Sequence, residues 1–230
     1  MTGPVSTGCD PIDELLGGGL ARGTVTQVYG PPASGKTNVA LSAAIEVAAG
    51  GGTAVYIDTE GLSLERFGQL AEARGDAEAI ADRIIITKAH DWGEQAEAVQ
   101  DAAEFAERAE LIVLDSATGF YRLERTNDGE QAGESLRAVA RQLTGLLSLA
   151  RRHDLAVLVT NQVYTDPDTD RAKPLGGYTL AHWTGVIVRL ERFRADQRRA
   201  TLEKHKSRPT GEGARFAITG TGLSGAEARR

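Results

Sequence analysis

Gly30-Pro31-Pro32-Ala33-Ser34-Gly35-Lys36-Thr37 lies between the apolar run VTQVY (25–29) and the alanine-rich TNVALSAAIEVAA (37–49). That eight-residue stretch matches G-x-x-x-x-G-K-[ST] in full, a loop whose backbone N–H groups turn toward phosphate oxygens at the start of a helix. A strand, a glycine loop and a helix in this order demand a sheet with helices packed on it. The loop therefore fixes the fold class before any other segment is read. Residues Gly30, Pro31, Pro32, Ala33, Ser34, Gly35, Lys36, Thr37 and Asn38 are the candidate nucleotide contacts. Lys36 reaches toward the β- and γ-phosphates, and the Thr37 hydroxyl takes a Mg²⁺ position.

The rest of the chain alternates in the same way. TAVYID (53–58), RIIIT (83–87), LIVLD (111–115) and LAVLVT (155–160) are short apolar runs of the kind buried on both faces of a parallel sheet. Between them lie helical patterns at 64–75, 92–109 and 130–153. The alternation predicts an α/β fold with a mostly parallel central sheet and right-handed crossovers. Past residue 184 the pattern changes to GVIVRLERF, RRATLEKHKS and ARFAIT, which read as antiparallel strands at the sheet edge. No repeat or linker divides residues 1–230, so one domain is expected.

Polar residues stand where the apolar runs end, which is where ligands sit in such sheets. Asp115 closes LIVLD and is placed to hold a Mg²⁺-bound water. Glu60 follows TAVYID and could polarise a water attacking a γ-phosphate, with Asp58 as the competing carboxylate. Gln162 follows the last parallel strand and could sense the γ-phosphate by hydrogen bonding. Lys36, Glu60 and Gln162 are thus the catalytic candidates, Thr37 and Asp115 the metal candidates, and ATP with Mg²⁺ the expected cofactors.

Charge is unevenly distributed. Residues 189–230 hold 11 Lys and Arg against 5 acids, a net +6, while the chain as a whole carries −6 and its first 188 residues −12. An acidic body with a basic C-terminal section suggests an anionic partner at that end, although a solvated charged hairpin accounts for the same composition. Cys9 is the single cysteine, which excludes an internal disulfide and fits a reducing cytoplasm. The sequence offers neither a secretory signal nor a membrane span.

Taken together, STGCDPIDELLGGGLARGTVTQVYGPPASGKTN, YIDTEG, LIVLDS, TNQVY, PLGGYTLAHWTGVIVRLER and LEKHKSRPTGEGARFAITGTGL resemble the RecA-type recombinase core, most closely its archaeal RadB group. The resemblance implies a RecA-like P-loop NTPase core, with Glu60 as catalytic base and Gln162 as the sensor that moves a DNA loop. Two stretches, 119–131 and 163–178, correspond to the family's DNA-facing loops. They supply Tyr121, Arg122, Arg125, Arg171 and Lys173 as DNA candidates, alongside an acidic cluster of Asp166, Asp168 and Asp170 that opposes a phosphate backbone. Lys204 and Lys206, two apart in an expected strand, would point to one face of the sheet, and the resemblance implies that they could complete a neighbouring subunit's ATP site in trans.

The chain departs from RadA-type recombinases in four ways. Neither a helix-hairpin-helix domain nor a Phe-based docking motif is expected before the core. The segment after Glu60 is shorter, and the arginine that the family lays on adenine is missing from its usual place, with Arg66 nearby as a substitute. The expected protein is an accessory factor of homologous recombination and DNA repair. It binds ATP and single-stranded or branched DNA, hydrolyses ATP very weakly, and assists a RadA-type recombinase or regulates a Holliday-junction nuclease. A monomer or small homo-oligomer is expected rather than a long filament. A DNA-stimulated filament-forming recombinase and a KaiC-like ATPase acting only on proteins are the alternatives.

Overall fold

A computed structural model describes residues 3–124, 129–166, 171–194 and 196–225, with side chains described outside 122–132 and Arg171. In chain order the elements are α1 (Asp10–Leu16), β1 (Val25–Tyr29), α2 (Lys36–Ala49), β2 (Thr53–Asp58), α3 (Leu64–Glu72), α4 (Ala77–Ala81), β3 (Ile84–Lys88) and α5 (Trp92–Phe105). They continue with β4 (Ala109–Asp115), α6 (Gly119–Glu124), α7 (Gly129–His153), β5 (Ala156–Asn161), β6 (Val163–Asp166), β7 (Arg171–Pro174) and α8 (Gly177–Trp183). The last four are β8 (Val186–Arg194), β9 (Gln197–Lys204), β10 (Gly213–Thr219) and β11 (Gly222–Gly225).

Nine strands form one sheet in the order β11-β10-β9-β8-β1-β5-β4-β2-β3. The six strands from β8 to β3 pair in parallel, and β8 to β11 turn back on one another antiparallel, as the change of pattern past residue 184 predicts. A separate hairpin of β6 and β7 stands off the sheet.

Two apolar layers hold the sheet. On one face Val28, Tyr56, Val113, Leu158 and Val188 pack with α1 and α2. On the other, Val55, Ile57, Ile112, Leu114 and Val157 pack with α5 and α7. Helix α2 is buried nearly all round, and its run of alanines lets the backbone lie close on the strands. Because each strand contributes alternate residues to each layer, continuous runs such as LIVLD are required rather than incidental.

The opening segment is tied down by Asp13. Its carboxylate accepts from Ser6 Oγ at 2.6 Å and from Thr7 N and Oγ1 at 2.8 and 2.6 Å. Gly19 then runs so close to Val5 that a Cβ there would lie 2.3 Å from the Val5 carbonyl oxygen. This explains the glycine run after DELL, which packs the chain's start onto α1. Cys9 is buried in that layer, and its burial pushes the thiol up to about 11, so it serves as a core residue and not as a nucleophile. Among the described residues no helix is long and apolar enough to cross a membrane.

Ile112, fully buried between β2, β5 and α7, tests the layer directly. Ile112→Ala should cost about 2–5 kcal/mol in urea unfolding, with the urea dependence itself unchanged.

Candidate nucleotide site

Parallel pairing brings the strand ends together. Tyr29 pairs with Asn161, and Asp58 with Asp115, so the residues that follow β1, β2, β4 and β5 gather at one end of the sheet. At Gly30 the chain passes β8 so tightly that a Cβ would lie 2.3 Å from the Leu190 carbonyl oxygen. Gly35 adopts φ 101° and opens α2. Pro31 and Pro32 have no N–H, which leaves the amides from Ala33 to Thr37 as the loop's donors. Ser34 N already bonds Pro31 O at 3.2 Å, whereas the buried Ser34 Oγ has no protein partner.

Lys36 Nζ folds back onto the carbonyls of Gly30 (3.0 Å) and Pro31 (3.2 Å). Burial pushes its pKa down, and the charges of Glu60 and Asp115 oppose that. A half-buried ammonium in a glycine cradle that admits no side chain fits a polyphosphate well. Arg198 reaches in from β9, its Nε donating to Ala33 O at 3.2 Å.

Asp115 is buried at the end of β4. Tyr56 OH donates to its Oδ2 at 2.8 Å, Thr160 Oγ1 donates to its Oδ1, and Thr37 adds a third hydrogen bond. Burial still dominates and holds the carboxyl above its ordinary range, with Glu60 adding to the rise. A carboxylate that is dry, hydrogen-bonded and beside a threonine hydroxyl has the donor set of a Mg²⁺ site.

The two candidate bases now separate. Asp58 is buried, and its carboxylate accepts from the amides of Glu60 (3.1 Å), Gly61 (2.9 Å) and Leu62 (2.6 Å). It builds the turn that presents Glu60. Glu60 is exposed, and its Oε1 accepts from Gln162 Nε2 at 2.5 Å.

Gln162 is anchored in turn by residues that the sequence pattern did not single out. Its N–H donates to Thr118 Oγ1 at 3.1 Å, and Thr118 Oγ1 donates to Asn161 Oδ1 at 2.7 Å. Asn161 Nδ2 donates to Leu175 O at 2.9 Å, and Leu175 N donates to Gln162 O at 2.9 Å. Leu175 directly follows β7, so this network ties the strand end to the foot of the β6–β7 hairpin. Arg66 lies beside the loop, its Nε on Asn38 Oδ1 at 2.9 Å and its Nη1 on Gly220 O at 3.2 Å.

The DNA candidates fare differently. The stretch from 119, expected as a surface loop, begins as helix α6, which turns Tyr121 into the core at 5% exposure and leaves no ring face for a base. Arg122, Arg125 and Arg171 lie outside the described side chains. Lys173 forms an ion pair with Asp166 across the hairpin, a local neutralisation of part of the acidic cluster.

Lys204 and Lys206 do not share a strand face, because β9 ends at Lys204 and Lys206 lies in the bend beyond. Lys204 Nζ caps the end of α8, on Ala181 O (2.6 Å) and Thr184 O (2.8 Å). Both lysines line a cavity of about 280 Å³ with Arg151, His182 and Trp183. That cavity also touches Thr24 and Gly185, which precede β1 and β8, and so lies at the end of the sheet opposite the phosphate loop of the same chain.

A strand–glycine-loop–helix unit, a buried strand-end aspartate and a glutamate presented after the neighbouring strand make up a core of the RecA-like fold. Residues 3–226 match the Rad51 family, and the chain belongs to that family. Its relatives include the "DNA repair and recombination protein RadB" of Halobacterium salinarum, 64% identical over 96% of this chain and 95% of that one. The protein of the same name from Methanococcoides burtonii is 44% identical over 94% and 95% of the two chains. A solved structure described as the RadB recombinase superposes with a TM-score of 0.83 at 40% identity, covering 97% of this chain and 100% of its own.

Two outcomes follow from this geometry. Asp58→Ala should leave nucleotide affinity intact while lowering hydrolysis to the level of Glu60→Gln, as measured by nucleotide titration and phosphate release. The second concerns Asp115. Between the ordinary carboxyl value of 3.8 and its raised folded value, the native state holds a proton that the unfolded chain has released. The metal-free protein therefore loses stability as pH rises through that window. Asp115→Asn removes this loss, so the difference in melting temperature, variant minus parent, should grow from pH 4 toward neutrality and shrink again when Mg²⁺ and ATP are added to the parent.

Proposed function

We propose that this protein is an ATP- and DNA-binding accessory factor of homologous recombination and DNA repair, acting as a slow nucleotide-dependent switch. Its relatives' names and the Rad51 family support the recombination setting. The observation that carries the switch is the hydrogen bond from Gln162 to Glu60, continued through Asn161 and Leu175 into the β6–β7 hairpin.

In this reading the amides of residues 33–37 and the ammonium of Lys36 hold the phosphates, and Thr37 with Asp115 hold Mg²⁺. Mg²⁺ when bound neutralises phosphate charge and orients the nucleotide. Glu60 accepts the proton of the attacking water. Its carboxylate is shared with Gln162, so the base is partly committed to holding the sensor, which suits weak hydrolysis. Gln162 can serve either Glu60 or a terminal phosphate with its one amide group, and its backbone carries that choice to Leu175. The differential affinity of the two states does the work, and hydrolysis resets them.

Arg66, bonded to Asn38 and Gly220 beside the loop, is the candidate to take the place of the arginine that the family lays on adenine. The protein does not itself exchange strands in this account. It assists a RadA-type recombinase, and Lys206 with its neighbours offers a basic cavity to a second subunit.

Steady-state ATP hydrolysis with and without single-stranded DNA tests the proposal, with Lys36→Ala as control. A rate that is low, lost in Lys36→Ala and raised less than about twofold by DNA is expected. A large DNA-dependent rise would indicate a working recombinase filament instead.

A further inference from the structure

The basic C-terminal section is not absorbed by the nucleotide site, and the structure shows where much of it goes. On β8, β9 and β10 one sheet face carries Glu191, Phe193, Arg199 and Arg215. Arg199 pairs across the strands with Glu191 on one side and Arg215 on the other. The opposite face of these strands is covered by α1 and holds the buried Ala200, Leu202 and Phe216. The first face is open, with Phe193 37% exposed and Arg194, Arg199 and Arg215 exposed around it.

Its charges are unequal. Arg189 lies against both acids of the face, 3.4 Å from Glu191 and 3.3 Å from Glu203, and Tyr29 OH donates to Glu203 at 2.6 Å. Among the described residues no carboxylate forms an ion pair with Arg194, Arg199 or Arg215. Two of these three guanidinium groups lie over the ring of Phe193, Arg215 at 4.4 Å and Arg194 at 5.5 Å from its centroid. Arg199 lies across Gly213 on β10, close enough that a Cβ there would be 3.1 Å from its Nε. Arginines held against an aromatic ring and along the sheet lose less freedom on binding than free ones, and they present stacking planes together with phosphate donors.

We infer that the open face of β8–β10, centred on Phe193, Arg194, Arg199 and Arg215, is a binding platform for single-stranded nucleic acid. The inference rests on the DNA-binding reading above but places the contact outside the two loops. Mere charge complementarity would also suit an acidic protein; an exposed aromatic ring beside guanidinium groups favours bases, since stacking tolerates any sequence. The platform sits at the same end of the sheet as the phosphate loop. Arg198, next to Arg199 on β9 and facing the other way, bonds Ala33 O, so one strand touches both sites.

The test is binding of a fluorescent thirty-residue oligo(dT) by anisotropy across a salt series. It uses the full chain, R199E/R215E, R199Q/R215Q and Phe193→Ala, with nucleotide binding and melting temperature as fold controls. For the double variants we expect affinity to fall about tenfold and the slope of log affinity against log salt to flatten by roughly one to two units. Phe193→Ala should weaken binding roughly fivefold or more with the slope unchanged. Parent-like affinity and slope in the folded variants would overturn the platform. So would unchanged DNA binding with loss of self-association or of binding to an acidic protein. If the parent chain binds no oligo(dT), the DNA-binding reading fails first and the platform falls with it.

Discussion

A buried carboxylate, Asp115, and a half-buried ammonium, Lys36, face one gap at the end of a parallel sheet, and much of the structure exists to hold them there. Burial disfavours both charges, raising one pKa and lowering the other. Tyr56, Thr160 and Thr37 partly compensate the carboxylate, and the carbonyls of Gly30 and Pro31 take the ammonium. These partners come from two strands, one helix and one loop, so the sheet and α2 must be in place before the pair can be tolerated. A polyphosphate with its cation would relieve both penalties at once. Ligand binding and local stability are therefore coupled by electrostatics, without any need for a large movement.

From that pair the architecture extends outward in two directions. Through Glu60 and Gln162 it reaches the foot of the β6–β7 hairpin by direct hydrogen bonds. Through Ala33 and Arg198 it reaches β9, whose opposite face carries the arginine platform. Both routes begin at the nucleotide site; the first ends on a hairpin whose Lys173 is paired with Asp166, the second on the exposed arginines of the sheet. A nucleotide could thus influence two separate contacts while the core layers stay rigid.

Much of this was legible in the sequence, for a physical reason. Strands buried on both faces must be apolar throughout, so VTQVY, TAVYID and LIVLD announce themselves, and a ligand loop needs glycine where no Cβ fits. The antiparallel edge past residue 184 was legible from alternation. Short elements were not: α4, five residues behind an Asp76 cap, and β11, four residues, are too short for a period to show, and α1 is fixed by Asp13 reaching back to Ser6 and Thr7. Sequence left Asp58 and Glu60 as rivals, because only folded geometry shows three amides closing on Asp58. Tyr121 read as a surface aromatic, yet helix α6 turns it inward. Lys204 and Lys206 read as one strand face, but the strand stops between them and α8 claims Lys204 with its last carbonyls. For Asp58 and Lys204 a backbone group supplied a partner that no residue pattern records, and for Tyr121 the packing of α6 did.

If Gln162 passes the nucleotide state to the hairpin, amide hydrogen exchange at Leu175, whose N–H donates to Gln162 O, will register it. Leu175 and the adjoining hairpin amides should then exchange at clearly different rates with a non-hydrolysable ATP analogue and with ADP. In Gln162→Ala the two nucleotides should give the same rate. Equal protection in both nucleotide states of the parent chain, or a difference that survives in Gln162→Ala, would contradict it.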